Sequence, residues 1–177
     1  MSATKDLFGG ALTATLPTDL IDASDLRQVP DTQEVFLFPN SGISIIIEVL
    51  KSVSASDIRE AAGVHFDSLA YDNDATSKNV HQIEEVANGS DGATPNPVVL
   101  HGTQSVQKFN SKTTDDVRIL LALFRVKEKD IDLVMTMNVP MTSADGGAVN
   151  ESDWMVAKGV FDTAAKSLHI VNYGLFE

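Results

Sequence analysis

The sequence predicts an α+β fold, a three-layer α/β/α sandwich with a central antiparallel sheet. Three observations carry that reading. Residues 117–126 are apolar on both faces, with Val117, Ile119, Leu121 and Leu123 alternating with Leu120, Ala122, Phe124 and Val126. Such a strand needs cover above and below. The strand candidates are joined by short turn-type segments, which favours antiparallel pairing over crossovers. Two separate stretches repeat apolar residues at helical spacing and can supply the cover.

In chain order, residues 8–16 read as the first strand, with Gly9-Gly10 as a bulge or close-approach point. Residues 34–38 and 43–50 flank Pro39-Asn40-Ser41-Gly42, which is hairpin-turn chemistry. Ile43, Ile45, Ile47 and Val49 give the second of these one apolar face, while Ile46 and Leu50 mark partial cover on the other. A helix is expected over residues 57–70, where Ile58, Ala62, His65 or Phe66, and Leu69 recur at helical spacing. Ser54 and Asp57 have the spacing of a capping box at its start. Residues 79–86 and 98–109 carry less strand patterning, with Pro95 and Pro97 punctuating the chain between them and a Gly/Asn/Pro loop over 88–96. Residues 117–126 and 131–139 flank Lys127-Glu128-Lys129-Asp130, a second hairpin with a charged tip. Asp145-Gly146-Gly147 opens a further loop. A second helix is expected over residues 153–167, with Ser152 as N-cap and Trp154, Ala157, Phe161, Ala164 and Leu168 as its apolar stripe. No internal repeat and no domain boundary is visible, so residues 1–177 are read as one domain.

Composition narrows the function classes. Hydrophobic residues make up 43% and charged residues 21%, as in a globular domain. The chain has no Cys, which removes disulfides, thiolate metal sites and a Cys nucleophile together. A formal net charge of −12 argues against nucleic acid and anionic membrane surfaces as partners, since phosphate recognition needs clustered Lys and Arg. A basic protein partner fits that charge; so does simple solubility. No apolar run reaches the roughly 20 residues of a membrane-spanning helix. The patterns G-x-x-x-x-G-K-[ST] and G-x-G-x-x-G are absent, so no nucleotide cofactor is expected. His65, His81, His101 and His169 show no metal spacing, and His65, near the apolar face of the first helix, reads as a satisfied core or boundary residue. Glu84-Glu85 and Asp115-Asp116 are adjacent and point to opposite strand faces, which does not make a two-carboxylate catalytic site.

The most informative stretch is Ile21-Asp22-Ala23-Ser24-Asp25-Leu26-Arg27-Gln28-Val29-Pro30-Asp31-Thr32-Gln33-Glu34-Val35-Phe36. Its acids and amides crowd just ahead of an apolar run, as on a fixed polar edge held by a hydrophobic scaffold. Pro30 fixes its own φ and restricts Val29, so the edge around the Val29-Pro30-Asp31 turn should be stiff. Asp31 and Glu34 then make an acceptor pair for Arg or Lys of a partner; an N-cap or a solvated turn is the other reading. Ser24 or Asp25 can cap a short turn. Arg27 either pairs with Asp31 or Glu34 and orients them or reaches a partner directly. Gln28 and Gln33 suit a polar rim.

Together with Leu7-Phe8-Gly9-Gly10-Ala11 and Leu16-Pro17, this stretch resembles the Ran guanine-nucleotide release factor family. The pattern LFGGA, LP, ID-x-SDLR-x-VPD-x-QEVF runs over residues 7–36, and Leu175-Phe176 is a further point of likeness. Residues 72–97 lie outside it. The resemblance implies an α/β/α sandwich shared with the photosynthetic PsbP proteins. It implies a nuclear-import protein of nucleus and cytoplasm that binds the GTPase Ran and promotes release of its guanine nucleotide, with room for other Ran-binding import factors. It reverses the reading of the acidic pair: Asp31 and Glu34 match carboxylates implicated in Ran binding, and Asp25, Arg27, Gln28, Val29, Pro30 and Gln33 complete the expected partner-binding set. An acidic adaptor that leaves the partner's nucleotide in place is the alternative. A small hydrolytic enzyme comes third, since no triad, metal set or acid–base pair is visible.

Overall fold

The computed structural model describes residues 1–90, 92–107, 113–143 and 146–177. The strands are β1 (Ser2–Leu7), β2 (Leu12–Pro17), β3 (Ile21–Asp22), β4 (Gln33–Leu37), β5 (Ser44–Lys51), β6 (Ala75–Glu85), β7 (Val98–Gln107), β8 (Thr114–Val126), β9 (Ile131–Pro140) and β10 (His169–Ile170). The helices are α1 (Ile58–Asp72), between β5 and β6, and α2 (Glu151–Ser167), between β9 and β10. A seven-stranded sheet runs β3-β4-β5-β9-β8-β7-β6, and a three-stranded sheet runs β1-β2-β10. Every strand pair is antiparallel.

β8 lies beside the central strand β9 and is covered on both faces, as its patterning predicts. Ile119, Leu121 and Leu123 meet Ala61, Ala62 and Phe66 of α1. Leu120, Ala122, Phe124 and Val126 face the other way, into a core with Trp154, Ala157 and Phe161 of α2. That second core also takes in Leu12, Ala14 and Leu16 of β2, so the small sheet and α2 together cover one face of the large sheet. Gly102 on β7 lets α1 settle on the opposite face: a Cβ there would lie 2.7 Å from the Phe66 ring and 2.8 Å from the Asn79 carbonyl oxygen.

The expected hairpins form. Phe38 N–H donates to the Ile43 carbonyl across Pro39–Gly42 at 3.0 Å, and Asp130 closes the charged turn in the left-handed region with φ 54°. Four local expectations are corrected. The strand expected over residues 8–16 begins only at Leu12. Phe8-Gly9-Gly10 form a 3-10 turn at φ 50°, 66° and 92°, which reverses the chain and makes β1 and β2 a hairpin. The second helix is capped by Asn150, whose Oδ1 accepts from Asp153 N–H at 2.8 Å, so Ser152 lies inside its first turn. The cap of α1 is Asp57 with Glu60, in place of Ser54 with Asp57. Asp57 Oδ1 accepts from Glu60 N–H at 2.8 Å, while the Glu60 carboxylate accepts from Ser56 N–H at 2.6 Å. β6 starts at Ala75, four residues before the expected 79. Lys108, Phe109 and Asp145 lie outside the described residues.

Beneath α1, the fully buried Asp132 of β9 organises a polar cluster. Its carboxylate accepts from His65 Nε2 at 2.7 Å, Arg125 Nε at 3.1 Å, Ser52 Oγ at 3.1 Å and Val53 N–H at 3.1 Å. Burial alone would raise its pKa, but the hydrogen bonds from His65 and Val53 and the Arg125 charge hold the carboxyl below the usual range. His65 is therefore a satisfied core residue, as its place on the helix predicts.

Candidate partner-docking site

The acidic stretch wraps the β3–β4 edge of the seven-stranded sheet. Its first part is fixed by Asp22, whose Oδ1 accepts from Ser24 N–H at 2.9 Å and Ser24 Oγ–H at 2.7 Å. This Asx-type cap starts the 3-10 turn Ala23–Asp25, so Asp22 takes the capping role expected of Ser24 or Asp25. Leu26 and Arg27 N–H both donate to the Ala23 carbonyl at 3.0 Å. The second part is fixed by Gln33 N–H on the Pro30 carbonyl at 3.0 Å and by Val49 N–H on the Thr32 carbonyl at 2.9 Å. The tight turn thus spans Pro30 to Gln33, one residue beyond the expected Val29-Pro30-Asp31, and places Asp31 at its first corner.

Asp25, Arg27, Gln28, Pro30 and Asp31 are exposed, whereas Val29, Gln33 and Glu34 are half-buried. Arg27 orients neither carboxylate. Its guanidinium points to the Gln28 carbonyl at 3.4 Å, and it forms no ion pair among the described residues. Gln33 and Glu34 are neighbours on β4 and face opposite layers. Gln33 Nε2 donates to the Glu48 carboxylate beside it on β5. Glu34 turns toward the small sheet, and its Oε1 accepts from Phe8 N–H at 2.8 Å. The expectation that Asp31 and Glu34 form one exposed pair therefore holds for Asp31, while Glu34 is half-covered and already engaged.

Sequence reasoning passed over two residues here. Leu26 is 68% exposed in the middle of the acidic ridge, on a backbone held by the Ala23 carbonyl. The only available signal was an isolated leucine among polar neighbours. Phe8 was visible only as part of the Leu7–Ala11 motif, and its tie to this edge left no signal because Glu34 lies 26 residues away.

Other sites offer less. A cleft of about 780 Å³ is lined by Ser52, Ser54, Ser56, Arg125 and Lys127 among others. Arg125 is already committed to Asp132 and the Val53 carbonyl. Ser52 and His65 both bind the same carboxylate, which is the wrong order for a nucleophile–base–acid relay. Among the described residues no group of three or more metal-type side chains comes together.

The fold and the edge define a class: a two-helix α+β protein on a broad antiparallel sheet, presenting a backbone-fixed acidic ridge. The family model described as "Ran-interacting Mog1 protein" matches residues 5–140, and the chain belongs to that family. It is 34% identical to the Ran guanine nucleotide release factor of Danio rerio, over 97% of this chain and 98% of the relative. It is 30% identical to the nuclear import protein mog1 of Schizosaccharomyces pombe, over 96% and 98%. The crystal structure of the Saccharomyces cerevisiae Ran-binding protein Mog1p superposes with a TM-score of 0.78 at 27% identity, covering 100% of this chain and 99% of the other.

Proposed function

We propose that residues 1–177 act as one Ran-binding unit that promotes release of guanine nucleotide from Ran in support of nuclear protein import, working in nucleus and cytoplasm as a regulator with no bond-making chemistry of its own. The observation that carries this reading is Asp31, an exposed carboxylate on a turn pinned at both ends, in a chain of the Ran-interacting family. Asp25, Arg27, Gln28, Val29, Pro30, Gln33 and Glu34 complete the docking region, with Glu34 and Gln33 contributing from half-buried positions. The ridge competes for cationic groups that otherwise hold the nucleotide's phosphates on a GTPase. If the protein binds nucleotide-poor Ran more tightly than loaded Ran, linkage requires nucleotide affinity to fall by the same factor; about 3 kcal/mol of coupling is roughly 150-fold.

The test is release of labelled GTP from Ran, with the product analysed for GDP and inorganic phosphate. Faster loss of intact GTP is expected. Unchanged release at saturating protein, with binding retained, would make the chain an acidic adaptor. Phosphate appearing ahead of label loss would make it a stimulator of hydrolysis.

A further inference from the structure

We infer that Glu34 is a positioning residue: its carboxylate holds the Phe8-Gly9-Gly10 turn against the acidic ridge, so that turn and ridge form one Ran-docking surface. This rests on the function proposed above and assigns Glu34 and the turn their parts in it. Three consecutive residues of the turn sit at positive φ, and Phe8, unlike the glycines, is disfavoured there. The β1–β2 ladder ends at Leu7↔Leu12, so Phe8 N–H lies beyond the last pair. Its partner is the Glu34 carboxylate, at 2.8 Å from a different sheet. A charge-assisted bond of this kind is a strong clamp on a strained backbone. A second tie runs in parallel: Lys5 Nζ of β1 lies 5.2 Å from the centroid of the Phe36 ring, two residues after Glu34 on β4.

The outer side of the turn is open. Gly9 is exposed, and nothing lies within 4 Å of where its Cβ would be. The Asp6 carboxylate, also exposed, lies 4.0 Å from the corresponding point at Gly10. The turn therefore presents bare backbone beside another negative charge, tied to the strand β4 that follows the Asp31 turn. That suits a cationic protein surface approaching closely. Glu34 itself is half-buried with one oxygen occupied, which suits a support better than a contact.

The experiment measures Ran affinity by calorimetry and hydrogen exchange of the Phe8 amide by NMR, on the full chain. Glu34→Ala is expected to lose at least about tenfold in affinity and to speed Phe8 exchange by a similar factor. Glu34→Gln keeps an oxygen that accepts the Phe8 N–H, and it should recover most of both losses. Equal weakening in Glu34→Gln and Glu34→Ala, with the Phe8 amide still protected, overturns the inference and makes Glu34 a direct charge contact. Should Glu34→Ala fail to fold by circular dichroism, Glu34→Asp takes its place. It keeps the charge but draws the carboxylate back by one methylene, so loss in both readouts supports positioning and full retention overturns it. Unchanged affinity in Asp31→Ala would instead overturn the ridge reading itself, and the Phe8 amide tells the two failures apart.

Discussion

Asp31 and His101 show how differently single residues can be set. Asp31 stands exposed on a rigid turn, so Asp31→Ala should weaken Ran binding by about 2–5 kcal/mol if the contact is desolvated, and by much less at a rim. Calorimetry with a circular dichroism control checks this, and wild-type affinity would move the site elsewhere. His101 on β7 is set by its surroundings. Its ring packs 5.4 Å from His81 and 5.3 Å from Trp154, and its Nε2 is buried with no hydrogen-bond partner among the described residues. Burial, and then the charges of His81, Lys158 and Arg118, hold the imidazole below its ordinary value of 6.5. The folded state thus binds fewer protons than the unfolded chain once pH drops below about 6.5. The stability this gives is present above that value and is lost as pH falls through the depressed range. Urea titrations at pH 7 and 5 should show a steeper loss for the wild type than for His101→Phe, which keeps the ring packing. At this scale the sequence revealed which side chains are covered, not what they bind. His65 was read as satisfied from its helix face alone, but the bond between Glu34 and Phe8 joins positions that no periodicity relates.

Elements were readable where one face is buried and unreadable where none is. α2 showed its stripe in full, because Trp154, Ala157, Phe161, Ala164 and Leu168 are all buried. β8 showed two apolar faces because it has two covers, and Leu121, 1% exposed under α1, is the sharpest check on them. Leu121→Ala should cost about 2–5 kcal/mol in chemical denaturation. A loss under about 1 kcal/mol would mean that α1 does not close over that position. β1 was not read as a strand and β6 only weakly, for the converse reason. β1 is exposed at every residue but Leu7, and β6 is exposed along nearly all of its length at the open edge of the sheet. The apparent strand over residues 8–16 arose because Phe8 keeps rough step with Leu12, Ala14 and Leu16, while the positive φ values that break it are a backbone property. The two-residue strands β3 and β10 are too short to leave a pattern at all.

At the level of the whole molecule, the three layers followed from β8, the hairpins and the two helical stripes. The small sheet inside one cover layer did not, since it joins the first strands to a two-residue segment near the far end of the chain. The net charge of −12 acts at this scale too. Association with Ran should slow as salt rises, because the screening length falls from about 10 Å at 0.1 M to about 3 Å at 1 M. Stopped-flow rates across that range check it, and a flat profile would mean that charge does not steer the encounter. The pairing of β5 with β9, from Ser44↔Asn138 to Lys51↔Ile131, has a further bearing on how the chain is made. During synthesis β5 emerges early and waits for a neighbour encoded some 80 residues later. Until then β3 and β4, with the ridge they carry, rest on a strand whose inner edge is open and whose Ile45 and Ile47 have only part of their final cover. Closure of such long-range contacts is slow, and the exposed edge is a template for mispairing. A product released from the ribosome short of residue 131 would carry the whole recognition motif without the surface that displays it.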